Sequence, residues 1–290
     1  METIAYEKRK MIHKVIKPLL SVIIPVYNRK HSLFEAVCSA IDAIEFAQKT
    51  RQFKAEIIVV DDGSDVPVVL DFDDKLRGIP VEVLVCRITQ NNGVGNARNQ
   101  GVSAARGQFV SFLDSDDQYL SNRFSADLNF MIQHGVEFCY GSTKDERAAN
   151  LDWEAPHRKD AVTRFTSPTP MLGKAHAAGR HGHIHLNAVT ILTKTLERDE
   201  ISFTTLKRAE DTIFILECLD NLYSLPNPET RPVAKRIYHN LNSLKTNKKG
   251  TLSFLKSSLL SKMENRTKIA VIVDIAFQQP MNAIRHWLQS

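Results

Sequence analysis

The sequence predicts an α/β protein built on a mostly parallel sheet flanked by helices, and three observations lead there. Short β-branched runs alternate with helix-period segments through the first half of the chain. Those runs are apolar at nearly every position, the pattern of strands covered on both faces. Two of them, Ile57–Val60 and Phe109–Leu113, run straight into aspartates, Asp61-Asp62-Gly63-Ser64 and Asp114-Ser115-Asp116-Asp117. That puts carboxylates at the carboxyl edge of the sheet, where open α/β sheets bind ligands.

Leu19 to Val26 reads as the first strand, with Pro25 near its end, where a missing N–H donor costs least. Ser32-Leu33-Phe34-Glu35 has the spacing of a helix capping box, and Leu33, Ala36, Val37, Ala40, Ile41 and Ile44 follow at helical period. Glu56 to Val60 forms the second strand and, after a short helix, Val81 to Cys86 the third. Asn91 to Gly101 then opens another helix. Gly93 and Gly95 permit positive φ or close backbone approach there, and a helix start offers free N–H groups to an anion. The glycine spacing is neither that of a P-loop nor of a dinucleotide fingerprint. In the fourth strand's acidic tail, Asp114, Asp116 and Asp117 lie within four positions. They repel one another unless a cation or several donors compensate. They read either as ligands of a hard divalent ion, Mg²⁺ or Mn²⁺, or as a solvated turn capping the next helix.

The second half is less patterned. Asn150 to Gly182 has loop composition and is too long for an idle connection. His176, His181, His183 and His185 gather in ten positions; without a nearby cysteine or carboxylate they read as polar loop contacts ahead of a zinc site. Leu186 to Leu192 reads as a strand, and Glu210-Asp211 starts a helix carried by Ile213, Leu216 and Leu219. The tail holds two amphipathic segments, Leu252 to Met263 and Ile269 to Leu288.

Composition excludes a disordered or repetitive chain: 290 residues, 43% hydrophobic and 24% charged. Cys38, Cys86, Cys139 and Cys218 are scattered in apolar surroundings and read as reduced core residues. The basic N-terminal arm lacks a signal-peptide core, and no stretch approaches the roughly 20 apolar residues of a membrane span. The expected location is cytoplasmic, with peripheral membrane contact at most. Between Arg231 and Lys268 ten basic residues face a single acid, Glu264. That block is either a set of solvated helical faces or a site for an anionic membrane surface or a phosphate-bearing acceptor. Nucleic acid is not an expected partner, since no aromatic stacking platform accompanies the charge.

Four stretches, taken together and in order, resemble the family 2 glycosyltransferases of the GT-A fold. They are Ser21-Val22-Ile23-Ile24-Pro25-Val26-Tyr27-Asn28; Ile58-Val59-Val60-Asp61-Asp62-Gly63-Ser64; Asn92-Gly93 with Ala97-Arg98-Asn99-Gln100-Gly101; and Phe112-Leu113-Asp114-Ser115-Asp116-Asp117. The resemblance covers residues 20 to 135 and thins afterwards. It implies a nucleotide-sugar donor, a UDP-sugar first, with Pro25, Tyr27 and Asn28 around the nucleobase and Asp62 accepting from the base. Asn92, Gly93 and Arg98 would lie on the nucleotide side, and Asp114 and Ser115 on the ribose or sugar side. Asp116 would be the main ligand of Mn²⁺ or Mg²⁺, with Asp117 beside it or just behind. Glu210-Asp211 resembles the family's Glu-Asp element, which makes Asp211 the catalytic base and Glu210 its companion. Processive relatives carry Gln-x-x-Arg-Trp; Asn282-Ala283-Ile284-Arg285-His286-Trp287 has the wrong spacing. The implied activity is therefore non-processive, inverting transfer of one sugar to a hydroxyl of a glycan or lipid-linked acceptor, in surface glycan or polysaccharide biosynthesis. The alternative is a non-catalytic nucleotide-sugar-binding or scaffolding module of the same fold. The expected organisation is a basic arm over 1–18, a GT-A domain over 19–240 divided into a nucleotide-sugar half (19–135) and an acceptor half (136–240), and a helical tail over 241–290.

Overall fold

The computed structural model describes residues 17–70, 80–147, 184–205 and 210–238. The N-terminal arm up to residue 16, the short helix expected before the third strand, the 150–182 loop with His176 and His181, His183, and the tail from 239 onward lie outside the described residues.

Seven strands form the main sheet in the order β3-β2-β1-β4-β8-β6-β9. β1 (Leu20–Val26), β2 (Ala55–Asp62), β3 (Val81–Ile88) and β4 (Phe109–Phe112) are mutually parallel, as the alternation of apolar runs and helices predicts. β8 (Val189–Leu192) runs antiparallel to β4 and to β6 (Phe138–Tyr140), and β6 pairs in parallel with β9 (Ser224–Pro226). A small second sheet, β5-β10-β7, is made of Gln118–Tyr119, Ala234–Tyr238 and Thr143–Arg147.

The inner strands are apolar on both sides because each side faces its own core. Leu20, Val22, Ile24 and Val26 of β1 pack with Leu33, Val37, Ile41 and Ile44 of α1 (Lys30–Gln48). Ile23 points the other way, with Ile58 and Val60 of β2, toward Ala97 of α2 (Val94–Ala104) and Phe214 of α5 (Glu210–Asn221); α3 (Asp127–His134) and α4 (Thr193–Arg198) fall between those two helices in the chain. Each buried Leu or Ile contributes about 1.5–3 kcal/mol relative to exposure, so two faces of such residues outweigh any local preference of the strands. α2 lies close on β1 because residue 101 is glycine: a Cβ there would sit 2.4 Å from Ile23 Cγ2.

Two local expectations are corrected. The capping box at Ser32 is not formed, because α1 starts three residues earlier than a Ser32 cap would place it, at Lys30, and Arg29 is the N-cap without a side-chain cap bond. Asn28 takes φ of 53°, which turns the chain out of β1 and lets the helix begin at once. The strand expected from Leu186 begins only at Val189; Leu186–Ala188 form a 3₁₀ turn. That turn is set by His185, whose Nδ1 accepts from the Asn187 N–H at 3.3 Å.

Candidate active site

The chain leaves β1 toward β2 and β3 on one side and reaches β4 on the other. The point between β1 and β4 is thus a topological switch point, where the connecting loops splay apart and leave a crevice. A cavity of about 380 Å³ opens there. Pro25 near the end of β1, Tyr27 and Arg29 just after it, Asp62 at the end of β2, Asn91 and Val94 after β3, and Asp114, Ser115 and Asp116 after β4 line it, with Arg98 of α2.

One end is shaped by hydrogen bonds among loops. Asn28 is bound reciprocally to residue 65: its Nδ2 donates to Asp65 Oδ2 and its Oδ1 accepts from the Asp65 N–H, at 3.0 and 2.9 Å. Asp61, buried, accepts from the N–H groups of Ser64 and Val68 and from Arg87 Nη1 at 2.6 Å. Burial works against its ionisation, but the Ser64, Val68 and Arg87 contacts outweigh it and hold the carboxyl below its ordinary value. Asp62 accepts from the N–H groups of Asn92 and Gly93, both at 3.0 Å. Burial dominates there, and the Asp62 carboxyl is pushed up. Gly93, at φ of 90°, lets that turn close onto Asp62 ahead of α2. Tyr27 stays 43% exposed beside the cavity.

At the centre lies Arg98, only 4% exposed. Its Nη2 donates to Asp114 Oδ1 at 2.7 Å and its Nη1 to Glu210 Oε1 at 2.8 Å, so one guanidinium joins the β4 loop to the start of α5. Phe203 supports it from one face, 5.3 Å away, and stacks in turn on Phe214. Asn99 fixes that segment by donating to the Phe203 carbonyl and accepting from its N–H. The two acids differ. Burial opposes ionisation of Asp114, but the charges of Arg98 and His185 lower its pKa, whereas burial and the neighbouring Asp211 charge raise that of Glu210 despite Arg98. Asp211 is half-buried in the first turn of α5 and accepts from the Thr212 N–H at 2.7 Å.

The acidic loop divides by direction. Asp114, Ser115 and Asp116 face the cavity, and Asp116 pairs with Arg29 at its mouth. Asp117 turns inward, 7% exposed. It accepts from the Ile237 N–H of β10 at 2.7 Å and from Asn187 Nδ2 at 2.6 Å, and burial together with the Asp114 charge raises its pKa to about 7. Ligand atoms of Asp114, Asp117 and His185 lie within 4.8 Å of one another. The structure therefore brings Pro25, Tyr27, Asp62, Arg98, Asp114, Ser115 and Asp116 to one cavity. It leaves Asn28 in the supporting loop and Asn92 and Gly93 as a turn held by Asp62, and it places Asp117 behind.

Arg29, His185 and Asn187 were not singled out for this site by sequence reasoning. Arg29 follows Asn28 directly, and its charge beside the first loop was the signal available. Asn187 carries no such signal, because its partners lie 70 and 73 positions away.

A protein-family model described as Glycosyl transferase family 2 matches residues 21–194. The chain is 29% identical over 210 residues to an uncharacterized glycosyltransferase of Haemophilus influenzae, an alignment covering 70% of this chain and 72% of that one. It is 32% identical over 124 residues to the putative teichuronic acid biosynthesis glycosyltransferase TuaG of Bacillus subtilis, covering 43% of this chain and 46% of TuaG. It is 29% identical over 153 residues to the UDP-Glc:alpha-D-GlcNAc-diphosphoundecaprenol beta-1,3-glucosyltransferase WfgD of Escherichia coli, covering 52% of this chain and 51% of WfgD. The match thus spans about half the length of the latter two. Among solved structures, S. aureus TarS 1-349 superposes with a TM-score of 0.64 at 21% identity, over 89% of this chain and 71% of that one.

Proposed function

Because the chain belongs to glycosyl transferase family 2, we propose that it moves one sugar per encounter from a nucleoside-diphosphate sugar, a UDP-sugar first, to a hydroxyl of a glycan or lipid-linked acceptor, with inversion at the anomeric carbon. The observation that carries this reading is the convergence of Asp62, Arg98, Asp114 and Asp116 on one cavity at the switch point of the sheet. Residues 19–240 are the catalytic unit in this reading. TarS, a structural neighbour, has been solved in complex with UDP and with UDP-GlcNAc, and WfgD is by its name a UDP-Glc-dependent enzyme acting on a diphosphoundecaprenol acceptor. These support the donor and acceptor classes.

The first loop and Asp62 form the base end of the cavity, and Asp114 and Ser115 the ribose and sugar end. Asp211 stands at the start of α5 as the base that takes the acceptor proton while the hydroxyl attacks opposite the leaving diphosphate. Glu210, drawn onto Arg98, holds that helix start against the donor half. The donor set at the cavity edge is carboxylate oxygen, which fits a hard divalent ion. Asp116, with Asp114 beside it, would hold Mn²⁺ or Mg²⁺. When bound, such an ion neutralises charge on the departing diphosphate. A mannosyltransferase of Pyrobaculum calidifontis, similar in fold with a TM-score of 0.52, was solved with GDP-Man and Mn²⁺.

Among the described residues no helix is long and apolar enough to cross a membrane. The described part of the basic segment is engaged in ion pairs: Arg231 with Glu229, Lys235 with Glu146 and Arg236 with Asp145. Attraction to an anionic surface would have to come from Lys245 to Lys268, outside the described residues.

The test is calorimetric titration and thermal shift with UDP-, GDP- and dTDP-sugars, with and without Mn²⁺. One donor series should raise the melting temperature, and Asp116→Ala should remove the metal-dependent part of binding. Failure of every nucleoside diphosphate to bind would overturn the proposal.

A further inference from the structure

Asn187 sits where three segments distant in sequence meet. Its Oδ1 accepts from the Asp114 N–H at 3.1 Å, and its Nδ2 donates to Asp117 Oδ2 at 2.6 Å. The other oxygen of Asp117 accepts from the Ile237 N–H at 2.7 Å. The main chain at 187 is itself fixed from below. Arg123, with no exposed surface, donates from Nε to the Asn187 carbonyl at 3.0 Å and from Nη2 to the Val189 carbonyl at 2.6 Å, while its Nη1 is paired with Asp127 at 2.7 Å. Asn187 is fully buried, so neither end of its amide has water to fall back on.

From this we propose that Asn187 and Asp117 form a positioning clip. The amide and the carboxylate together fix the backbone of the acidic loop, so that Asp114 and Asp116 face the donor cavity, and tie that loop to β10. Asp117 is thus an anchor of the loop, one residue behind the proposed metal ligand, and Asn187 is a positioning residue contributed by the acceptor half. Both oxygens of Asp117 are already engaged by N–H donors and the residue is turned away from the cavity lining. An amide is needed at 187 because the site asks one side chain both to accept from a backbone N–H and to donate to a carboxylate. Aspartate there has no donor and would set two carboxylates face to face; leucine has neither group. The proposal rests on the donor-site reading above, and it names residues which that reading leaves without a task.

The chemistry permits a reciprocal swap. In Asn187→Asp combined with Asp117→Asn, the new carboxylate accepts from the Asp114 N–H and from the new amide, whose oxygen accepts from the Ile237 N–H. Every hydrogen bond and the net charge are retained. The experiment measures UDP binding by calorimetry with and without Mn²⁺, and thermal melting, for the wild type, the two single variants and the double variant. Each single variant should raise the Kd for UDP in Mn²⁺ about 10–100-fold, the range for lost partners of metal ligands, while changing metal-free UDP binding far less. The double variant should return to within about threefold of the wild type, where a tenfold change would be 1.4 kcal/mol. If a single variant does not fold, recovery of a cooperative melt in the double variant supports the clip in the same way. A double variant that binds Mn²⁺ and UDP no better than Asp117→Asn alone overturns it, because Asp117 would then act through its own charge as a ligand; so does a double variant that fails to fold. If the wild type binds no nucleotide, the donor-site reading falls, and the melts of the four proteins still decide the clip.

Discussion

Replacing Arg98 by methionine keeps an unbranched, largely apolar stem and removes the charge on which Asp114 and Glu210 converge. The guanidinium bonds Asp114 and Glu210 at 2.7 and 2.8 Å. Without it both carboxylates are left in a site whose only other compensation is partial. Removing one partner of a buried ion pair costs about 3–5 kcal/mol, mostly as the penalty of the charge left behind. The Asp114 side chain keeps 27% of its surface and can be partly hydrated, whereas that of Glu210 keeps 9%. The expected loss therefore falls at the lower end, about 3–4 kcal/mol. For a domain of this size each kcal/mol shifts the melting temperature by about 2–4 °C, so Arg98→Met should melt roughly 10 °C below the wild type. Arg98→Lys keeps the charge but cannot fork to both acids, and should lose about half as much. Arg98→Met combined with Glu210→Gln removes the less hydrated orphan, and should recover part of the loss, giving a non-additive cycle. Scanning calorimetry of the four proteins is the assay. A melting temperature for Arg98→Met within 2 °C of wild type, or strict additivity in the cycle, would refute the reasoning that a desolvated cation holds this junction.

The other predictions address turnover, packing and pH. Asp211→Asn should lower kcat about 10²–10⁴-fold, the usual worth of a positioned base, while calorimetric donor binding stays within a few-fold of wild type; retained turnover would exclude Asp211 as the base. Gly107→Ala should destabilise by about 1–3 kcal/mol, measured by urea unfolding, because its Cβ would lie 2.6 Å from the Ser21 N and Oγ, the latter hydrogen-bonded to the buried Glu56. Asp61 is held below its ordinary value of 3.8, since the bonds from Ser64, Val68 and Arg87 outweigh burial. A depressed carboxylate contributes stability that is present above its unfolded pKa and is lost as pH falls through its folded pKa. The stability gap between wild type and Asp61→Asn should therefore be widest near neutral pH and narrow below about pH 4, read from melting temperatures across that range; a gap that widened in acid would contradict it.

The sequence alone determined the parts of this protein that depend on local pattern. Ile57–Val60 and Phe109–Leu113 declared buried strands because both faces had to be apolar. Their aspartate endings then put carboxylates at one sheet edge, where a cavity opens beside Asp62, Asp114 and Asp116. Helix α1 was legible from its period, but its start was not, since Asn28 turns the chain before Ser32 can cap it. Only the tertiary structure decided which way each acid points and what compensates it. Asp116 and Asp117 are neighbours in sequence, yet one meets Arg29 from the β1 loop and the other meets Asn187 and Ile237 from the second half. Arg98 read as a nucleotide-side arginine; its bond to Glu210 spans 112 positions and joins α2 to the start of α5. Asn187 gave no sign at all. The reason is physical: periodicity records which side of an element is buried, whereas the partner of a buried polar group is whatever distant segment the packing brings within hydrogen-bond reach.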